Sequence, residues 1–89
     1  MIEKELTIVN KLGLHARAAA KLVSLASSFE SGVEVARDGR RVNGKSIMGV
    51  MMLAASQGAK ITFYIDGNDA DEAMQKIEEL VSDKFGEGE

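Results

Sequence analysis

Hydrophobic periodicity switches repeatedly along this chain, between the spacing of a strand and that of a helix. That switching constrains the fold more than any other feature. Ile2, Leu6 and Ile8 fall on one face of an extended segment, with Glu3, Glu5 and Thr7 on the other, which predicts a strand with one buried face. Asn10 to His15 breaks the alternation and reads as a loop. Ala16, Ala19, Ala20, Val23 and Ala26 then recur at helical spacing up to Ser28. A helix is expected there, with a small-residue face able to pack closely on a sheet.

Val33 to Ala36 is a short strand, Asp38-Gly39 a hairpin turn, and Arg40 to Val42 its antiparallel return. Ser46 caps a short helix from Ile47 to Leu53, weakened by Gly49. Ile61, Phe63 and Ile65 alternate with Thr62 and Tyr64 in the last strand. Asp69 is expected to cap the last helix, with Glu72 three residues on. Ala70, Ala73, Met74, Ile77, Leu80 and Val81 form the buried stripe of that helix. Gly86 ends it, and the Gly-Glu-Gly-Glu tail is expected to fray. The order is β-α-β-β-α-β-α, an α+β domain of two layers with helices stacked on one face of the sheet. The order in which the strands pair does not follow from this pattern.

The 89 residues allow one domain, residues 1–89, with a modest core. There is no cysteine and one histidine, which excludes a disulfide framework, a zinc-thiolate site and a multi-histidine metal site. No cofactor is implied. No apolar run approaches the roughly 20 residues of a membrane span. The opening MIEKELTIVN alternates charge with hydrophobe, unlike a signal peptide, so a small cytoplasmic protein is expected. The net charge of -3 is unevenly spread: residues 1–60 hold nine Lys/Arg and five Asp/Glu, residues 61–89 two and nine. A mildly basic end suits an acidic partner. Nucleic acid does not fit, because the chain is acidic and only 4% aromatic.

His15 carries the chemistry. An isolated histidine is most often a helix cap or a surface residue. Here it sits in Gly13-Leu14-His15-Ala16-Arg17, where a loop turns into a helix. A helix N-terminus offers unpaired N–H groups and a partial positive charge that suit a phosphate. Arg17 adds a planar donor fork, and Gly13 allows a sharp bend. A neutral imidazole is a competent nucleophile. Nothing else in the sequence offers a second catalytic partner. That is too little for a stand-alone enzyme, but enough for a protein that receives a phosphoryl group and hands it on.

These residues resemble the active-site motif of the HPr family, the histidine-containing phosphocarriers of the bacterial phosphotransferase system. The resemblance spans the chain: its length, its element order, and the segment from Asn43 to Met51 match the family pattern. It implies an open-faced β-sandwich, a four-stranded antiparallel sheet covered on one face by three helices. It also implies that His15 attacks the phosphorus of phosphorylated enzyme I through Nδ1. The phosphohistidine then passes its phosphate to a IIA-type acceptor. Arg17 neutralises phosphate charge, and the N–H groups of Ala16 and Arg17 cap it. Ser46 matches a regulatory serine phosphorylated by HPr kinase/phosphorylase, through which a transcriptional regulator is addressed. Ala20, Ile47, Met48 and Met51 match the partner surface, with Met52 beside them and Lys21, Lys45 and Arg17 as a basic rim. A carrier exposing one site to several partners is expected to be monomeric.

One departure is Ala18, where the common motif has proline; it leaves open a nitrogen-type carrier. A second reading keeps the fold as a regulatory binding domain controlled through Ser46. A third, a ferredoxin-like ligand-binding or RNA-binding domain, gives no reason for the spacing of His15 and Arg17.

Overall fold

The computed structural model describes residues 1–88. The strands are β1 (Ile2–Thr7), β2 (Gly32–Arg37), β3 (Arg40–Asn43) and β4 (Lys60–Asp66). The helices are α1 (Ala16–Ser27), α2 (Ile47–Met52) and α3 (Ala70–Ser82), with a 3-10 turn at Lys84–Gly86. The tail expectation therefore reaches one residue, Glu89, that lies outside the described ones.

The sheet order is β1-β4-β2-β3, antiparallel throughout. β1 and β2 are thus parallel to each other with β4 between them, and β3 and β4 parallel with β2 between. Two split β-α-β units interlock. β4 is paired on both sides, and its apolar set explains the placement: Ile61, Phe63 and Ile65 are fully buried. Ile65 pairs with Ile2 on one side and Val33 on the other, so the register keeps apolar residues on one face.

That face carries the core, where Val33, Val35 and the β4 residues meet Leu22 and Ala26 of α1, Val50 of α2, and Ala73 and Ile77 of α3. The opposite face is open and polar. There Arg41 lies 3.7 Å over the Tyr64 ring and donates from Nε to Glu34 Oε1 at 2.7 Å. At the β2–β3 hairpin both Asp38 and Gly39 take positive φ, the turn that an Asp-Gly pair favours.

Four expectations need correction. α3 ends at Ser82 with Asp83 as its C-cap, and Gly86 closes the separate 3-10 turn. The buried face of α1 is Ala18, Ala19, Leu22, Val23 and Ala26, whereas Ala16 and Ala20 are exposed. Leu22 is the largest fully buried side chain of α1 and sets the orientation. Asp69 is the N-cap residue of α3, as expected, but its side chain makes no cap hydrogen bond. Its carboxylate instead accepts from Glu30 N and Ser31 N, each at 3.0 Å, and from the Ser31 hydroxyl. Up to Glu87 the tail is held to the body of the protein: Phe85 is fully buried, and Glu87 is bonded to Asn10.

Candidate functional site

The loop that delivers His15 is fixed along its length. Ile8 N donates to Ala59 O at 2.9 Å, Gly58 N to Ile8 O at 2.7 Å, and Leu14 N to Ala55 O at 2.8 Å. Gly13 makes the bend with φ +69, and a Cβ there would lie 2.5 Å from Ala55 O. Glycine is required both by conformation and by space. Asn10 is fully buried, and its Nδ2 donates to Gly13 O at 2.8 Å and to Glu87 Oε1 at 2.9 Å.

His15 is the N-cap of α1, with extended backbone, and its ring makes no cap hydrogen bond. The first helical bond runs from Ala19 N to His15 O at 2.8 Å. The N–H groups of Ala16, Arg17 and Ala18 precede it and point out of the helix end. Ala18 keeps an N–H that proline would lack, and the helix begins at Ala16 all the same. The ring is about 30% exposed, and its Nε2 meets Glu87 Oε2. An open depression of about 580 Å³ spreads in front of it, lined by Leu12, His15, Ala16, Arg17, Lys21, Gly86 and Glu87. Sequence motif and geometry thus bring His15, Ala16 and Arg17 into one concave site.

Glu87 is the residue that sequence reasoning missed. Gly-Glu-Gly-Glu carries no periodic signal. The usable sign was Phe85, four residues after Val81, which continues the apolar stripe of α3. Its burial turns the chain back toward the site. The turn holds Lys84 at φ 56 and Phe85 at φ 55, and Lys21 Nζ donates to Phe85 O at 2.7 Å. The Asn10 amide, and after it the His15 ring, hold the Glu87 carboxyl below its ordinary 4.5, against a smaller opposing effect of burial.

Ser46 is the N-cap of α2, its Oγ accepting from Gly49 N at 3.1 Å. Along α2 only Val50 is buried, while Ile47, Met48, Met51 and Met52 are 44%, 70%, 37% and 57% exposed. So large an apolar fraction on six residues is unusual for a free surface. Ala20 is exposed on α1, the helix that packs beside α2. The basic rim is thinner than expected. Lys21 and Lys45 give their ammonium groups to the carbonyls of Phe85 and Phe29. Arg17 is the exposed cation on the first turn of α1.

The model of the family described as the PTS HPr component phosphorylation site matches residues 2–83. The chain belongs to the HPr family. It is 55% identical over 89 residues to phosphocarrier protein HPr of Cupriavidus necator, covering all of both chains. It is 58% identical over 87 residues to phosphocarrier protein HPr of Xylella fastidiosa strain Temecula1, covering 98% of each. Among solved structures, HPr-C-His from Thermoanaerobacter tengcongensis superposes with a TM-score of 0.94 at 46% identity, covering 98% of each chain. The four-stranded antiparallel open sheet with three helices is the HPr architecture. Glu87 lies beyond the stretch the HPr family model matches. No helix among the described residues is long and apolar enough to cross a membrane.

Proposed function

We propose that this HPr chain carries phosphoryl groups from phosphorylated enzyme I to IIA-type acceptors through His15. The observation that carries the reading is His15 at the N-terminus of α1, facing an open depression beside Arg17 and the free N–H groups of Ala16 and Arg17. In the first step the Nδ1 lone pair of His15 forms a bond to phosphorus. The bond from phosphorus to the donor histidine breaks, and its electron pair returns to the donor ring. The second step reverses this toward the acceptor, returning the pair to Nδ1. Arg17 offsets the negative charge of the group in flight. The exposed Ala20, Ile47, Met48 and Met51 form an adaptable apolar docking patch for both partners. The carrier works in the cytoplasm as a monomer, meeting one partner at a time.

Ser46 is proposed as a regulatory site for HPr kinase/phosphorylase. Its half-buried hydroxyl already sits at a helix start, beside that apolar patch. A phosphate there is tolerated by α2 and places charge where partners dock, or where a transcriptional regulator binds. The sugar-type and nitrogen-type branches share this chemistry and differ in the enzyme I that loads the carrier.

The test is intact mass after incubation with enzyme I and phosphoenolpyruvate, in parallel with His15→Ala. An acid-labile gain of one phosphate, absent in the variant, supports the reading. No gain, with enzyme I shown active on another carrier, overturns it for that partner.

A further inference from the structure

The carboxylate of Glu87 is held on two sides. The buried Asn10 amide fixes Oε1 at 2.9 Å, and Oε2 meets Nε2 of His15. The Glu87 side chain is about 11% exposed and that of His15 about 30%, so the carboxylate is the more enclosed member of the pair. Phe85 anchors the turn that presents it, and Lys21 pins the Phe85 carbonyl. A carboxylate can only accept a hydrogen bond, so Nε2 must be the donor. In the neutral ring Nδ1 then keeps its lone pair, and the ring makes no bond to the helix that would occupy it.

We propose that Glu87 is a positioning residue for phosphoryl transfer at His15, fixing the tautomer and plane of the ring and offsetting the charge that develops on it. This rests on the carrier reading above. When Nδ1 of the neutral ring forms its bond to phosphorus, Nε2 keeps its proton and the ring becomes cationic. The donor's N–P bond breaks, and its electron pair stays with the donor. No proton has to move on His15. The new positive charge lies against the Glu87 carboxylate, while the phosphoryl group grows from the other ring nitrogen. An orienting carboxylate behind a catalytic imidazole is a recurrent arrangement. Here the tail supplies it.

Because His15 is the only histidine, its two ring nitrogens can be read without ambiguity by long-range proton–nitrogen NMR on uniformly labelled protein. The wild type is expected to show well-separated nitrogen shifts, with Nε2 protonated. Glu87→Ala narrows that separation and slows phosphoryl uptake from phosphorylated enzyme I about tenfold, the weight of one charge-assisted hydrogen bond. Glu87→Gln can offer its one carbonyl oxygen to Nε2 only by turning its NH2 toward the Asn10 Nδ2 donor, so it recovers the wild-type shifts and rate in part. A merely structural role would leave the His15 ring-nitrogen shifts unmoved in both variants. Unchanged amide spectra away from the tail establish that both fold. If Glu87→Ala matches the wild type in both shifts and rate, the proposal is overturned and the carrier reading stands. If the wild type itself accepts no phosphate, the carrier reading falls, and the role of Glu87 in transfer falls with it.

Discussion

The Asp69 carboxylate holds Ser31, a residue 38 positions earlier, through both the backbone N–H and the hydroxyl of that serine. Glu30 N donates to its other oxygen at 3.0 Å. The bond set ties the turn between α1 and β2 to the start of α3. Two neighbours on the core face are thereby fixed at the end of the molecule away from His15. Gly67 shares the site: its Cβ, if it had one, would lie 2.4 Å from Ser31 Oγ.

Asp69→Ala is expected to lower the melting temperature by several degrees, with the loss depending on pH. The Ser31 hydroxyl first, then the Glu30 N–H, hold the Asp69 carboxyl below its ordinary 3.8. The unfolded chain therefore binds the proton more tightly than the folded one. The stabilisation is complete above 3.8 and disappears as pH falls through the depressed folded value. Thermal melts of both proteins should differ most near neutral pH and converge in acid. A gap that widens on acidification would contradict the assignment.

Gly13→Ala is expected to cost about 2–4 kcal/mol, combining a left-handed backbone with a backbone clash. The new methyl would meet Ala55 O at 2.5 Å and Ser56 Cα at 2.8 Å. Gly39→Ala is the control. Its φ is +82, but nothing lies within 4 Å, so only the conformational cost of about 1–2 kcal/mol applies. Denaturant midpoints measure both. Phosphoryl uptake should fall in Gly13→Ala alone, because that loop carries His15.

Element order and the His15 motif were legible because they are local. Period-two and helical spacings, the Asp38-Gly39 turn and the Ser46 cap are each decided within a few residues. The parts that failed are those where a distant partner wins. Asp69 stands at the cap position, but its carboxylate bonds to Glu30 and Ser31, which no local pattern announces. Ala16 and Ala20 lie at helical spacing with Ala19, Val23 and Ala26, yet Ala18 and Leu22 take their places on the buried face. Glu87 is brought to His15 by the burial of Phe85, through a strained turn at Lys84 and Phe85 that no local pattern announces.

Ser46→Ala is expected to destabilise the protein by about 1 kcal/mol, the usual weight of an N-cap. For a domain of this size that is about 4–8 °C in melting temperature. The lost bond is the one from Gly49 N to Ser46 Oγ. Ser46→Asp keeps an acceptor at the cap and should stay within a few tenths of a kcal/mol of the wild type. A scanning melt of the three proteins checks the order. If Ser46→Asp instead melts with Ser46→Ala, the cap is not what the hydroxyl supplies.

The C-terminal turn should respond in opposite directions to two adjacent substitutions. Lys84 and Phe85 both hold positive φ, near +56 and +55, a region that costs an ordinary residue about 1–2 kcal/mol. Phe85 offsets its strain by complete burial beneath the tail. Lys84 is only half-buried, so it has less to set against the cost. Lys84→Gly removes the steric penalty but frees the unfolded chain, leaving a net gain of about 0.5 kcal/mol. Phe85→Ala keeps the strain and empties the core position, costing about 3–5 kcal/mol. It also releases the Phe85 carbonyl from Lys21 and lets Glu87 leave His15. Amide hydrogen exchange over residues 84–88 should therefore slow in Lys84→Gly and quicken in Phe85→Ala. Quicker exchange in Lys84→Gly would mean that the lysine side chain, and not the backbone conformation, holds the turn.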